Sequence, residues 1–397
     1  MPYPSGDVSS ETELPFGYKL LQIQQLTRHG ARYPNLGEME RISYVYDILR
    51  PLVPSEWIVQ DLVDTNKAGL LAESGKEEIA GIAERTMNRY SPVFGRASID
   101  PESVRFISSD KQRTKASAQI FKSVLSNGIN TQLPQVTVLS KENDTTIGMH
   151  HACPAWIKSS QQLKEHEVAL ETLKFDATYG SGILWMINLR LGTTRSVREI
   201  SDIDIFYRLC GYDLSLYHRD DRWCSLLDPI MSEYLELRRD IGFSRIFGPY
   251  GADINKKLAC VLFSETLADI DSALANPATA VSTFRFGHAE TMVFVSTLLQ
   301  LENTLGKNNT PITGNMLLTD ALDRGFRTTV LAPFATNLVI ELYSHGRRSG
   351  EGYFRLMLNE RVVRLDGCSH DICPVHVLRQ KVAAHIGCNF NEMCQAN

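Results

Sequence analysis

The chain has no apolar run of the roughly 18 residues that a membrane span needs. Its longest candidates, such as the one around Val330 to Tyr343, are broken by polar side chains, which predicts a soluble protein without a membrane span. It also lacks a large excess of either charge: 41 Lys and Arg face 46 Asp and Glu, a net charge of -5. That balance removes any general attraction to nucleic acid or to an anionic membrane, so an anionic ligand must be met by a local basic pocket. There is no internal repeat and no low-complexity tract, which excludes a solenoid. The opening MPYPSGDVSSETELP has neither a basic start nor an apolar run, so no signal peptide is expected in this chain. The closing CQAN carries no endoplasmic reticulum retention signal.

What is present is enough for a large core. With 397 residues and 43% hydrophobic composition, the chain predicts two or three structural units at about 150 residues each. The 8 cysteines are an even number. Cys368 and Cys373 lie close together, as do Cys210 and Cys224, while Cys153, Cys260, Cys388 and Cys394 are left to pair at longer range. The pattern points to disulfides in an oxidising compartment, although spacing alone does not fix connectivity. Asn-X-Thr acceptor sites at Asn143 and Asn308 agree with a secreted or secretory-lumen glycoprotein. The competing reading of CSHDICPVH is a zinc site built from Cys368, His370, Cys373 and His376, but it lacks a second matching cluster.

Short strand-like runs mark both ends of the chain: KLLQIQQL before Arg28, Val104 to Ser108, Val281 to Phe286, then NLVIELY, YFRLMLN and RVVRL, the last two joined by a tight turn at Asn359 and Glu360. Ser74 with Glu77 reads as a capping box opening a helix whose inner stripe is Ile79, Ile82, Ala83 and Thr86, with Pro92 just beyond its end. Ser109 with Gln112 reads as a second one, which puts Arg113 in the first turn of a helix that follows a strand. Between Cys153 and Ala275 strand-like runs nearly vanish and segments such as QQLKEHEVALETLKF read as helices. The expected architecture is α/β: a core from 1–150 and 276–397, with 151–275 as an α-helical insertion or cap domain.

Three separated places share one design, an apolar strand, a tight passage and basic residues near a helix start: Leu26 to Pro34, Ser108 to Gln119 and Phe284 to Thr291. In open α/β sheets the carboxyl ends of strands form the ligand crevice, where helix N-termini offer free N–H groups to phosphate. Arg28, His29 and Arg32 fall within one turn, and Gly30 would let the backbone come close to a ligand. Two guanidinium forks around an imidazole suit a phosphoryl group.

The string Arg28, His29, Gly30, Arg32, Pro34 fills every fixed position of the signature RHG, any residue, R, any residue, P, and so resembles the histidine acid phosphatase family. The resemblance implies a mixed central sheet flanked by helices, His29 as the nucleophile, and Arg113 as a third phosphate-binding arginine beside Arg28 and Arg32. His288, Ala289 and Glu290 replace the His-Asp of many relatives and resemble the multiple inositol polyphosphate phosphatase branch. Glu290 is then the expected proton donor and His288 a further phosphate ligand. Late stretches such as YGADINKKLACVLF and APFATNLVIELY look like the same branch, and the likeness thins within the insertion.

These readings converge on a monomeric phosphomonoesterase for inositol polyphosphates, working without cofactor or metal. In the expected reaction neutral His29 attacks phosphorus, protonated His288 helps hold the oxygens, and Glu290 is kept protonated by its surroundings. The alternatives are a broad acid phosphatase acting on sugar phosphates or bisphosphoglycerate, and an idle inositol phosphate binding module. A mutase is disfavoured by the ARYP that follows the RHG histidine and by the large helical insertion. Lys67, Lys111, Lys158, Lys256 and Lys257 are possible contacts to further phosphates.

Overall fold

A computed structural model describes residues 15–90, 100–346 and 351–395. Pro92 and the residues that open and close the chain lie outside them, so the helix stop and the terminal readings are not addressed.

The strands are β1 (Tyr18–Arg28), β2 (Val104–Ser109), β3 (Thr137–Leu139), β4 (Ser282–Gly287), β5 (Asn337–His345), β6 (Gly352–Leu358), β7 (Arg361–Val362) and β8 (Cys373–Pro374). They form one mixed sheet in the order β3-β2-β4-β1-β5-β6-β7, with β8 paired to β6. β3, β2, β4 and β1 run parallel. β5 turns antiparallel on β1, and β6 on β5. Asn359 and Glu360 both take positive φ, 52° and 63°, which is what a two-residue hairpin turn between β6 and β7 requires. The RVVRL run pairs only over Arg361–Val362, while the short β3 and β8 carry too few residues to show a period.

The helices that shape the site are α1 (Leu36–Leu49), α2 (Glu73–Arg89), α3 (Gln112–Gly128), α4 (Ile203–Tyr217), α5 (Pro229–Ile246), α6 (Cys260–Ala275) and α7 (Ala289–Leu299). On one face of the sheet Ile79, Ile82 and Ala83 of α2 and Phe121 of α3 pack with Phe106, Phe284 and Phe286. On the other face, residues of α4 to α7 join Leu26, Leu338 and Ile340 in a second core. From Cys153 to Ala275 the chain is helical and holds no strand. It includes one long run from Pro154 to Arg190 that is widened by π turns at Lys164–Val168 and Asp176–Gly180.

Both capping boxes expected from the sequence are absent, although both helices exist. α2 starts at Glu73 with Ala72 as its cap, so Ser74 is already inside the helix. α3 starts at Gln112 with Lys111 as its cap, and the Ser109 hydroxyl faces elsewhere.

Four disulfides join Cys153 to Cys394, Cys210 to Cys224, Cys260 to Cys388 and Cys368 to Cys373. The first and third tie helices at the two ends of the insertion to the C-terminal segment, across separations of 241 and 128 residues. Closing long loops removes freedom from the unfolded chain. The Cys368–Cys373 bond takes both sulfurs out of the alternative zinc reading. No helix among the described residues is long and apolar enough to cross a membrane.

Glu302, 5% exposed, has its carboxyl pushed up to about 7 by burial. A native pKa above the unfolded value of about 4.3 means the folded state holds the proton more tightly, so stability is full below that value and is lost as pH rises to about 7. Glu302→Gln is therefore expected to stabilise by on the order of 3 kcal/mol at pH 8 and by almost nothing at about pH 4, as read by thermal melts at both pH values.

Candidate active site

The three parallel strands β1, β2 and β4 end at one edge of the sheet, and their register brings the motifs together. Arg28 pairs with Gly287, and Ser108 with Phe286. The His29 N–H donates to the Gly287 carbonyl at 3.1 Å, and the Ala335 N–H donates to the His29 carbonyl at 3.1 Å. Ala335 accepts a φ of 55°, an uncommon conformation for a residue with a Cβ, in the loop that clamps His29 from the β5 side.

Gly30 serves packing more than ligand approach, contrary to the sequence reading. A Cβ on Gly30 would lie 2.1 Å from the carbonyl oxygen of Gly75, and one on Gly75 would lie 2.1 Å from that of Ala31. The two glycines let the loop after β1 sit directly on the first turn of α2. The Ala31 N–H donates to Glu78 at 2.8 Å and the Ala72 N–H to the Ala31 carbonyl at 2.9 Å.

Within this frame His29 is 2% exposed. Its Nδ1 lies 2.9 Å from the Gly30 carbonyl, which can only accept, so the proton sits on Nδ1. The Nε2 lone pair is left to accept from Arg113 Nε at 2.9 Å. Burial, then Arg28, Arg113 and His288, hold the imidazole well below the ordinary histidine range, which keeps it neutral. A neutral imidazole with its unprotonated nitrogen fixed as Nε2 can act as a nucleophile once Arg113 turns to another acceptor.

Arg28 reaches the Ala332 carbonyl and lies 4.3 Å over the Phe334 ring. Its Nε is buried with no hydrogen-bond partner among the described residues. Burial, then Arg32, bring its pKa down to about 9; burial and Arg32 bring that of Arg113 to about 10. Both remain charged near neutrality and would gain from an anion. Arg32 is tied differently: it donates to the Tyr33 carbonyl at 2.7 Å and pairs with Glu38 at 3.3 Å. Glu38, held down to about 2 by Arg32 and Arg208 in spite of burial, also takes a 2.6 Å contact from Arg208.

His288 stands edge-on to His29, with ring centroids 5.7 Å apart. Burial holds its pKa down to about 3, and the negative charge of a phosphoryl group held beside it would act in the opposite direction. For Glu290 burial acts to raise the pKa, while His150 and His288, its own backbone N–H and Arg28 act to lower it, with the net direction down, so Glu290 and the two histidines share their protonation as one cluster. Its place in the first turn of α7 adds the favourable end of the helix dipole. The structure thus gathers Arg28, His29, Arg113, His288 and Glu290 at one spot, with Arg32 a step away on the wall of the cleft.

Several neighbours escaped the sequence reading because nothing local marks them. Ser109 Oγ lies 3.0 Å from His288 Nε2 across a separation of 179 residues, and donates onward to Thr114 at 3.2 Å. His150, 5% exposed, has a buried Nδ1 without a partner among the described residues. Tyr207, Arg208, Tyr212, Arg239 and Phe243, all from α4 and α5, line the cleft opposite Arg28. Of the lysines considered, Lys67 pairs with Asp61 at 2.7 Å and Lys256 with Asp253 at 3.1 Å. Lys111 lines a small cavity with Lys141, His151 and His288.

The family model for the histidine phosphatase superfamily (branch 2) matches residues 19–359. The chain is 23% identical to multiple inositol polyphosphate phosphatase 1 of Gallus gallus, across 99% of this chain and 88% of that protein. It is 22% identical to an acid phosphatase of Schizosaccharomyces pombe, across 97% and 87%. Among solved structures, the phytase from D. castellii has a TM-score of 0.78 at 15% identity, covering 100% of this chain and 86% of that one. The Bifidobacterium longum multiple inositol polyphosphate phosphatase in complex with inositol hexasulfate has a TM-score of 0.74 at 15% identity, covering 98% of each. These structures share the fold of this chain.

Because Ser109 holds the His288 ring, Ser109→Ala is expected to lower kcat on a phosphomonoester by about tenfold with little change in KM. Steady-state kinetics check this, and an unchanged kcat would separate Ser109 from the site.

Proposed function

Since the chain belongs to the histidine phosphatase superfamily, branch 2, we propose that it hydrolyses inositol polyphosphates through a phosphohistidine on His29. The observation that carries this reading is the fixed imidazole: Nδ1 is held on the Gly30 carbonyl, and Nε2 accepts from the Arg113 guanidinium, which a phosphate oxygen can claim in its place. The names of the relatives, multiple inositol polyphosphate phosphatases and phytases, support the substrate class.

Arg28, Arg113 and Arg32 hold the non-bridging oxygens, with His288 beside them. Nε2 of His29 bonds to phosphorus as the bond from phosphorus to the inositol oxygen breaks. Glu290 hands its proton to that oxygen, which leaves poorly as an anion. The negative charge of the bound phosphate raises the Glu290 carboxyl pKa, against the lowering by its neighbours, and so favours the protonated form that the step needs. Water then attacks phosphorus, its proton goes to Glu290, the phosphorus–nitrogen bond breaks and phosphate leaves. Positioning and charge supply most of the acceleration.

The segment 151–275 acts as a cap domain over a core from 1–150 and 276–397, and α4 and α5 bring substrate-facing side chains to the cleft. Four disulfides, with an exposed Asn143 in an acceptor triplet, support a secreted or secretory-lumen protein.

A panel of inositol hexakisphosphate, bisphosphoglycerate and sugar phosphates tests the substrate class by kcat/KM. Preference for the inositol polyphosphate is expected, and equal rates on all of them would favour a broad acid phosphatase. His29→Ala is expected to abolish turnover. Glu290→Gln is expected to slow an alkyl phosphate by about 10²–10⁴, and p-nitrophenyl phosphate much less because its leaving group needs little protonation. Equal losses on both would remove Glu290 from the donor role.

A further inference from the structure

Between β3 and the long helical run, the loop from Asp144 to Cys153 lies against the first turn of α7, the turn that carries Glu290. The Asp144 carboxylate accepts the N–H groups of Thr146 and Ile147 at 3.3 and 2.7 Å, and the Thr291 hydroxyl donates to the Ile147 carbonyl at 2.6 Å. Further along, the His151 N–H donates to the Gly148 carbonyl at 2.8 Å, and Cys153 is bonded to Cys394. The loop is therefore fixed on both sides of His150.

The His150 ring stands in an aromatic nest, with ring centroids 5.5 Å from Trp156, 5.9 Å from Phe294 and 6.4 Å from Phe247. Phe294 lies four residues beyond Glu290, one turn along the same face of α7, which places the His150 ring beside the face that carries the carboxyl. A phenylalanine would fill such a nest as well. The imidazole instead leaves Nδ1 buried without a partner among the described residues, a cost that a ring kept for packing alone would not carry. The His151 ring lies 4.1 Å away; His151 is exposed, and it lines a small cavity with Lys111, Lys141, Asp144 and His288. Burial brings the His150 pKa down to about 4, with Glu290 acting upward and His151 downward, and His288 feels the charge of His150 in turn. As a neutral ring, His150 has one nitrogen to accept a proton and one N–H to give.

We propose that His151 and His150 form a proton path from solvent to Glu290, with His150 the positioning residue that hands Glu290 the proton it later gives to the leaving oxygen. The inference rests on the phosphatase reading above and names the source of its proton. A phosphomonoester loses its second proton at about pH 6, so above that value the substrate arrives as a dianion and brings none. A proton from solvent then adds to one nitrogen of His151 as the N–H on its other nitrogen passes a proton to His150, and His150 passes one to Glu290 in the same way. Each ring gains one proton and loses one, both end neutral, and the carboxylate becomes the carboxylic acid. Below about pH 6 the substrate carries a proton of its own, and Glu290 can take that one without the path.

The test compares wild type and His150→Phe on glycerol phosphate, an alkyl monoester, and on p-nitrophenyl phosphate, at about pH 5 and about pH 7.5, on either side of the substrate's second pKa. The phenyl ring keeps the nest filled and removes the path. On glycerol phosphate kcat is expected to fall on the order of 10- to 100-fold at about pH 7.5 and only about two- to threefold at about pH 5, with p-nitrophenyl phosphate losing about two- to threefold at both. His150→Ala gives an independent reading: added imidazole is expected to restore its rate on glycerol phosphate at about pH 7.5, while pyrrole, of the same shape but without a basic nitrogen, is not. No loss at the higher pH, an equal loss at both, or equal rescue by the two additives would overturn the proposal. Activity extending to higher pH in His150→Phe would overturn it too, because removing a group that acts only by lowering the Glu290 pKa has that effect. A failure of the phosphatase reading looks different: wild type would then hydrolyse neither ester, or no faster than His29→Ala.

Discussion

Like charges crowded around one buried imidazole are the constraint on which this site depends. Arg28 and Arg113 sit against His29 with Glu290, and for Arg113 also Glu38, as counter-charges, and burial together with the neighbouring cations depresses the pKa values of both guanidiniums and of the ring. The fold offsets this crowding with neutral partners: the Ala332 carbonyl and Phe334 face for Arg28, the His29 lone pair for Arg113. It also spends carboxylates only one step away, where Glu38 and Asp204 balance Arg32 and Arg208. The centre is thereby left positively charged and ready for an anion. Burial first, and then the same charge, keep His29 unprotonated, so anion binding and nucleophilicity come from one arrangement.

Rigidity of the surroundings makes that arrangement tenable. The His29 backbone is hydrogen-bonded to β4 on one side and to the strained Ala335 loop on the other. Interlocked Gly30 and Gly75 fix the loop from below. The helical segment that lines the far wall is bonded to the C-terminal region by the Cys153–Cys394 and Cys260–Cys388 disulfides. Catalytic and recognition groups thus come from parts of the chain held at fixed separation, as electrostatic preorganisation requires.

How much could be read from the sequence follows from how local each feature is. The RHGARYP string, the strand before it and the turn at Asn359 and Glu360 are local, and they appear where expected. Arg113 was located by a capping argument that proved wrong at Ser109, yet the strand-to-helix passage it marked is real. The true partner of Ser109, His288, comes from another strand and leaves no trace in spacing. Gly30 was read as room for a ligand because Gly75 is not adjacent in sequence. The protonation of Glu290 and His288 is not legible in the sequence for a related reason: each is a sum of burial and charges delivered by several distant elements. Arg239 was passed over inside a run of charged helix residues, where exposure is the ordinary expectation.

The central claim is that burial and the cationic ring keep His29 neutral, with its proton held on Nδ1 by the Gly30 carbonyl. Histidine-selective ¹⁵N NMR of the ligand-free enzyme, assigned with His29→Asn, reads this directly. The account predicts an Nδ1–H, Nε2-unprotonated imidazole that persists at about pH 6, where an ordinary histidine is mostly charged. A His29 that takes up a second proton near about pH 6.5, or carries its proton on Nε2, would contradict it.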